Sequence, residues 1–416
     1  VPSLACPTGT GDGSLQGRGE AERGEGRSMA DEWVGRHLVE YYVVAGVGAR
    51  LVPMRAQHER MQPPAPPPRA SRPASAGTRR PSAESREFPR RDDRFEPTVL
   101  TRYPLEDRAG TPFPGDCPEF CFPDGVRLET LSQHQQDPMP VTNSFVLTTA
   151  DRTRIYGVCI VWMDALDADA VRRFVGEAVE RAPEAEVYGQ YAVCLLSRAP
   201  AFEMLSLCCR TLYRMHLTQG VRTLERRFVA PALDARVAGL GFMTSLTLGG
   251  QHLQASSPAL LDLPYSMASA GDWLLVTKCL DAHNLVAVWA LLLAEHKLLL
   301  LSRHTHVLTM ACETLIALLF PFKFEHVYIP VLPSRLASYL QAPVPFLVGA
   351  TPDVVTATDD LPSDVVQVHL DENRVVLDAA AYEKLRLPPR ARRKLIRKVS
   401  RVCRPPPDSA SAAAAV

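Results

Sequence analysis

Four residues of the types that carry out acid, base or nucleophilic chemistry follow short apolar runs in the second half of the chain: Ser302, His304, His306 and Asp353. If those runs are parallel strands, all four residues lie near the carboxyl ends of strands, where α/β proteins place their sites. A serine, a histidine and an aspartate assembled there would suit a hydrolase, as the nucleophile, the base and the orienting carboxylate.

The sequence around Ser302 lacks other features that a nucleophilic serine needs. No G-x-S-x-G turn is present to expose its hydroxyl, and Ser302 and Thr305 are equally well placed to cap the helix that follows. The sequence also has no P-loop, no G-x-G-x-x-G after a strand, and no H-E-x-x-H or EF-hand motif. We therefore predict a protein without catalytic residues, a metal site or a cofactor, and keep a hydrolase as an alternative.

The elements that must position these residues form an α/β layer. Runs 298–301, 327–332 and 346–350 are continuously apolar, which predicts strands buried on both faces of a helix-covered parallel sheet. Apolar residues repeat at helical spacing between the first two runs: Leu308, Cys312, Leu315, Ile316 and Leu319. We expect Pro321 to end this helix and Ser334 to cap a shorter helix before the third run.

The first half of the chain favours a smaller α+β module over residues 29–216. Strands are predicted at 38–47 and in a hairpin that turns at 150–152, because these stretches are rich in aromatic and β-branched residues. A further strand at 191–198 leads into a helix whose apolar residues share one face over 202–212. An antiparallel sheet with helices packed against it is the expected assembly.

The remaining ranges divide into a connection, the α/β module and segments of low complexity. Residues 217–257 are turn-rich and are predicted to connect the modules, and the α/β module spans 258–380, closing with two strands joined by a polar turn. Residues 1–28 are predicted to be a disordered tail. The Pro- and Arg-rich insert 53–94 is either a solvated disordered loop or a polyproline-like docking segment. Residues 381–416 begin as a basic helix and end as a disordered segment.

Composition argues against several classes of protein. The 46 basic residues balance the 46 acidic residues, so no overall field attracts nucleic acid. The ten cysteines include no C-x-x-C pair, which argues against a zinc ribbon and fits a reducing compartment. No apolar run is long enough to span a bilayer, and the first residues lack the apolar core of a signal peptide. We expect a soluble cytoplasmic protein that does not bind nucleic acid.

Several long motifs together resemble one protein family. FPFKF, HVYIPVLP and APVPFLVG lie in the α/β module, and LVEYYVVAGV, RYPLED, FCFPDGVRL and RIYGVCIVW lie upstream. Through these motifs the chain resembles DENN domains over roughly residues 37–47 and 98–395. The resemblance implies a longin-like upstream module, a mainly parallel central α/β module, and a guanine nucleotide exchange factor for a Rab-family small GTPase. It also implies a third, helical module, of which residues 381–416 would hold only the beginning.

The same resemblance implies a GTPase bound between the upstream and central modules, in a cytoplasmic protein that associates peripherally with vesicle or endosomal membranes. Lys323, Glu325 and His326 are polar positions in an otherwise apolar, aromatic stretch. They are candidate partner-binding residues at the edge of the sheet; the alternative is a solvated turn in which Glu325 pairs with Lys323.

Two further alternatives concern the C-terminal segment and the activity itself. The basic segment 390–404 can meet an anionic membrane surface or form the first helix of the third module. An exchange factor works by binding and needs no catalytic motif. A DENN-fold scaffold that binds a GTPase without exchanging its nucleotide therefore fits the same sequence.

Overall fold

The computed structural model describes residues 36–48, 94–130, 139–149, 151–166, 187–219, 229–238, 242–256, 270–356, 361–377 and 387–403. The predicted tail 1–28 lies outside these ranges, as do residues 53–93 of the predicted insert. The disordered end expected after residue 403 lies outside them too.

An antiparallel sheet forms the first half of the described fold. Its strands are β1 (Tyr41–Val47), β2 (Pro97–Tyr103), β3 (Leu128–Thr130), β4 (Val141–Thr148), β5 (Arg154–Ala165) and β6 (Val187–Ser197). They lie in the order β2-β1-β6-β5-β4, with β3 also paired to β6, and every pair is antiparallel. The strand predicted at 38–47 is confirmed, and β4 and β5 form the predicted hairpin.

Helices cover both faces of this sheet. They are α1 (Cys117–Cys121), α2 (Phe202–Gln219) and α3 (Val229–Asp234). Successive side chains of a strand point to opposite faces. Tyr156 and Trp162 of β5 therefore share one face and contact aromatic residues of α2, whereas Cys159 lies on the other face, next to Cys121 of α1. The helix predicted from its apolar face is confirmed as α2.

The range 217–257, predicted only as a turn-rich connection, contains regular structure. Besides α3 it holds a hairpin of β7 (Met243–Leu248) and β8 (Gln251–Ser256), which packs against α2. The two residues of its turn, Gly249 and Gly250, have φ of 57° and 78°. Such values suit glycine, and paired glycines are typical of a two-residue hairpin turn rather than of a loop.

A second sheet, mainly parallel, occupies the other half of the fold. Its strands are β9 (Lys297–Leu301), β10 (Val327–Ile329), β11 (Phe346–Ala350), β12 (Val365–His369) and β13 (Arg374–Val376). They lie in the order β10-β11-β9-β12-β13, and only β13 is antiparallel to its neighbour. The three apolar runs are therefore the strands of a parallel sheet, and the predicted α/β fold class is confirmed.

Helices connect and flank the strands of the parallel sheet. They are α4 (Ala270–Cys279), α5 (Ala282–Leu293), α6 (Thr305–Ala317), α7 (Pro352–Thr356), α8 (Pro389–Val399) and a 3-10 helix (Ser334–Gln341). α6 ends before Pro321, as predicted, and the basic segment forms α8, which packs against α5. Among the described residues no helix is both long and apolar enough to cross a membrane.

The prediction that Ser334 caps its helix is wrong. Pro333 occupies the N-cap position, and the Ser334 hydroxyl instead donates to Asp124 Oδ1 at 3.3 Å. Asp124 follows α1, on the side of the antiparallel sheet. The Ser334 hydroxyl therefore bonds to a residue distant in sequence, although the local pattern predicts that it caps the helix.

The apolar core is shared between the two sheets. Phe145 of β4, Leu308 of α6 and Leu300 of β9 belong to one continuous cluster, so α6 is packed between the sheets. Leu299, which points to the other face of β9, belongs to a second cluster with Leu340 of the 3-10 helix. The parallel sheet is thus buried on both faces, which is the property that its continuous apolar runs predict.

Candidate partner-binding surface

The residues suggested for a hydrolase are not assembled into a catalytic site. Ser302 Oγ donates to Asp371 Oδ1 at 2.7 Å, so its acceptor is a carboxylate rather than the imidazole that would activate it. His306 Nδ1 lies 3.0 Å from Ser144 Oγ on β4, and Asp353 is exposed in the first turn of α7. Each of these residues has a different neighbour, and the geometry favours structural roles for Ser302 and His306.

The prediction that Ser302 and Thr305 cap α6 also needs correction. His304 is the N-cap residue, and no side chain caps the helix. Ser302 Oγ accepts a hydrogen bond from the His304 backbone N–H at 3.1 Å, one position before the helix. Thr305 Oγ1 donates to Asn143 Oδ1 on β4 at 2.7 Å. The hydroxyl of Thr305 therefore ties α6 to the antiparallel sheet.

α6 makes the main contacts between the two sheets. Besides the Thr305 contact, Thr309 Oγ1 donates to the Ser144 carbonyl at 2.5 Å, and both Thr309 and Ser144 are buried. These bonds satisfy the Asn143 side-chain oxygen and the Ser144 carbonyl of β4. Because β4 is an edge strand, it has a neighbouring strand on one side only. The two sheets consequently meet through hydrogen bonds as well as through apolar packing.

A second group of contacts joins the β4–β5 hairpin to β10. The Arg154 guanidinium lies over the Tyr328 ring at 4.7 Å, and the Tyr328 hydroxyl donates to Glu313 Oε1 at 2.5 Å. Thr148 Oγ1 also donates to the Tyr328 carbonyl at 3.4 Å. Burial raises the pKa of Tyr328 and the Glu313 carboxylate raises it further, so the phenol stays protonated and remains a donor at neutral pH.

Beside this contact, residues 318–326 connect α6 to β10; we call them the α6–β10 loop. Trp289 Nε1 on α5 donates to the Leu318 carbonyl at 3.0 Å, which fixes the start of the loop. Phe324 turns inward and is only 7% exposed. The loop is therefore held in place at its beginning and near its end.

The structure places all three predicted partner-binding residues in this loop. Glu325 Oε2 lies 3.6 Å from Arg152 Nη1, in the turn of the β4–β5 hairpin, so the expected pairing of Glu325 with Lys323 is replaced by a pair between the two sheets. His326 Nε2 lies 3.2 Å from Glu295 Oε1. Lys323 is exposed. The Arg152–Glu325 pair is itself exposed, so it contributes little to stability, and its charges remain accessible to a partner.

Two aromatic residues of the loop were not singled out from the sequence. Phe320 is 50% exposed and Phe322 is 69% exposed, on either side of Pro321. Their alternation with the buried Phe324 was visible in FPFKF, but the sequence does not show which phenylalanines face the core. Exposed aromatic residues on an ordered surface, bordered by charges, are typical of protein–protein contacts.

The loop and the hairpin turn define a candidate partner-binding surface where the two sheets meet. Its apolar part is Phe320 and Phe322, and its charged rim contains Lys323, Glu325 and Arg152. Apolar anchors with a polar rim are the usual anatomy of a protein interface. Because the loop is anchored before any partner arrives, binding would cost little ordering entropy.

Fold and surface together describe a two-sheet α/β protein with one candidate partner-binding surface. The family model described as DENN (AEX-3) domain matches residues 188–373, and the uDENN domain model matches residues 97–162. The chain belongs to the DENN-domain proteins. The boundaries that we predict between its modules remain predictions.

Curated relatives of the chain include proteins of fungi and of a plant. Identity is 25% over 409 aligned residues to elicitor of plant defense protein 1 of Fusarium odoratissimum, covering 73% of this chain and 42% of that protein. It is 27% over 409 residues to the protein of the same name in Verticillium dahliae, covering 73% and 34%. DENN domain and WD repeat-containing protein SCD1 of Arabidopsis thaliana is 27% identical over 294 residues, covering 68% and 23%. The chain thus spans less than half the length of these relatives.

Proposed function

We propose that this protein binds a Rab-family small GTPase and promotes GDP release from it, as a regulatory exchange factor in vesicle trafficking. The observation that carries the proposal is the pair of family-model matches, over residues 97–162 and 188–373. These ranges contain most strands of both sheets, α6 and the α6–β10 loop. Exchange on Rab GTPases is the activity for which the DENN family is known.

The chemistry of an exchange factor agrees with the absence of an assembled Ser302 site. Such a protein binds best to a GTPase whose nucleotide site is distorted, and that binding energy offsets the lost nucleotide contacts. Exchange factor and nucleotide weaken each other reciprocally, so the GTPase without nucleotide is bound most tightly. The protein must supply a firm, complementary surface rather than a proton donor or a nucleophile.

The candidate partner-binding surface can supply these contacts. Phe320 and Phe322 provide the apolar centre, where most of the binding energy of an interface is concentrated. Lys323 and Glu325 lie at the charged rim, where they would mainly influence the association rate and its salt dependence. His326 is less exposed than they are, so its proposed role is to hold the loop through Glu295.

The decisive experiment measures release of fluorescent GDP from a panel of Rab GTPases in the presence of Mg²⁺. The full chain should accelerate release from at least one of them. Phe322→Ser should slow the stimulated rate about tenfold or more, because loss of one aromatic anchor costs at least about 1.4 kcal/mol. Phe242→Ser is the matched control, since Phe242 is also 69% exposed but lies just before β7 of the β7–β8 hairpin.

Binding of the chain to the same Rab panel, with and without nucleotide, is measured alongside GDP release, and each outcome has a distinct meaning. If the chain binds a Rab equally well with and without nucleotide, and Phe322→Ser abolishes that binding, the scaffold alternative replaces exchange as the proposed function. If no Rab binds better without nucleotide than with it, exchange is the wrong function. If Phe322→Ser leaves the rate of GDP release unchanged, the protein is still an exchange factor, but the GTPase binds at a different surface.

We also propose that α8 brings the protein to membranes peripherally. Val399 faces the core, whereas Arg393, Lys394, Arg397 and Lys398 are exposed. Basic side chains near an anionic bilayer contribute about 1 kcal/mol each. Added anionic vesicles should therefore speed GDP release from a membrane-tethered Rab, and high salt should remove the gain. An equal effect of uncharged vesicles would contradict this part of the proposal.

A further inference from the structure

Four cysteine side chains lie close together between α1 and the antiparallel sheet, away from the partner-binding surface. Cys117 and Cys121 are the first and last residues of α1, and Cys159 and Cys194 lie directly opposite each other on β5 and β6. None of the four is more than 1% exposed. The chain positions of α1, β5 and β6 are far apart, so only the packing of α1 on the sheet creates the cluster.

The sulfur atoms have the separations expected of ligands to one metal ion. The Sγ atoms of Cys117, Cys121 and Cys194 all lie within 4.8 Å of one another, and those of Cys117 and Cys194 are 3.9 Å apart. Zinc binds sulfur at about 2.3 Å with tetrahedral geometry, which separates its sulfur ligands by about 3.8 Å. Cys159 lies opposite Cys194 on the paired strands β5 and β6 and next to Cys121, so it is the candidate for the fourth sulfur.

We propose that Cys117, Cys121, Cys159 and Cys194 bind a structural zinc ion. The chain has no C-x-x-C pair, but the C-x-x-x-C spacing of α1 lies within the range that zinc sites use. A set of sulfur ligands selects zinc over magnesium or calcium, which prefer oxygen. Four protein ligands leave no open coordination position, so the ion would stabilise structure rather than act in catalysis.

The competing explanation is that the four thiols are small apolar side chains of the core. Cys208 behaves in that way, since burial alone raises its pKa to about 12. Cys117, Cys121 and Cys194 differ, because their three Sγ atoms lie within 4.8 Å of one another, as the ligands of one metal ion do. Zinc would deprotonate these thiols on binding.

The location of α1 gives such an ion a structural task. α1 has five residues, fewer than a helix needs to persist by itself, yet it carries contacts to the parallel sheet. Glu119 Oε1 accepts a hydrogen bond from Arg335 Nη1 at 2.7 Å. Asp124, just after α1, accepts hydrogen bonds from Ser334 and Thr351 at 3.3 and 3.2 Å. A zinc ion that joins both ends of α1 to β5 and β6 would stabilise α1 and, with it, these contacts between the two sheets.

The test uses the full chain, produced with added zinc and kept reduced. Elemental analysis after dialysis should find about one zinc ion per chain. Replacement of zinc by Co²⁺ should produce sulfur-to-cobalt charge-transfer bands and the visible bands of tetrahedral cobalt. Cys117→Ser and Cys194→Ser should each lose the ion or shift these bands. Cys312→Ser is the matched control, because Cys312 is also fully buried but lies in α6.

Several results would overturn the proposal. A folded, reduced chain that binds neither zinc nor Co²⁺ refutes it, and so does metal binding that Cys117→Ser leaves unchanged. If the serine variants do not fold, the spectrum of the cobalt-loaded parent chain still decides, since fewer than about four sulfur ligands contradicts the assignment. None of these measurements depends on a GTPase, so the zinc proposal and the exchange proposal fail separately.

Discussion

Gly349, in the middle of β11, offers a sharp test of how tightly the parallel sheet is packed. A Cβ at this position would lie 2.0 Å from the Pro330 carbonyl oxygen and 3.1 Å from Leu308 Cβ. Cβ contacts under 3.0 Å essentially do not occur, so Gly349→Ala must displace backbone by about 1 Å. The displacement also threatens the hydrogen bond from the Leu332 N–H to the Gly349 carbonyl, now 2.7 Å long.

The expected cost of Gly349→Ala combines three effects. Overpacking costs about 1–3 kcal/mol, and a weakened backbone hydrogen bond about 0.5–1.5 kcal/mol. Alanine returns about 0.4–1 kcal/mol by restricting the unfolded chain. We therefore expect the free energy of unfolding to fall by about 2 kcal/mol, within a range of about 0.5–4 kcal/mol.

Urea unfolding of the full chain, followed by far-UV circular dichroism, measures this change as a shift of the midpoint at constant slope. Gly115→Ala is the control, because a Cβ there meets no atom within 4 Å. Its stability should stay the same or rise by up to about 1 kcal/mol. If the two variants differ by less than about 0.5 kcal/mol, the close approach of β11 to Pro330 is wrong.

Two further predictions concern a buried leucine and a buried carboxyl group. Leu299→Ala should lower the free energy of unfolding by about 2–5 kcal/mol, because Leu299 is fully buried in β9; Leu105→Ala, at an exposed position, should change it little in the same urea experiment. Burial raises the pKa of Glu313 in the folded protein above its unfolded value of about 4.3. The protonated carboxyl group therefore contributes its full stabilisation below about pH 4.3. This stabilisation is lost as the pH rises through the raised pKa of the folded state. Glu313→Gln should remove this loss in thermal unfolding from about pH 4 to about pH 8, and an unchanged pH dependence would contradict the assignment.

The sequence alone determined the parallel sheet, because a continuously apolar run such as Leu298–Leu301 is stable only when both faces of its strand are covered. It also determined α2 and α6, whose apolar spacing leaves one face to bury. These features depend on neighbours in the chain, and local patterns report such neighbours well. The β7–β8 hairpin is equally local, but the turn-rich pattern of residues 217–257 predicts only a connection between the modules.

Tertiary structure alone decided where the candidate partner-binding side chains lie. Phe322 and Phe324 are of the same type and two positions apart, yet one is exposed and the other buried. Glu325 pairs with Arg152 rather than with its neighbour Lys323. The physical reason is that periodicity assigns a residue to one side of an element, whereas its actual neighbours depend on strand register and on how distant elements pack.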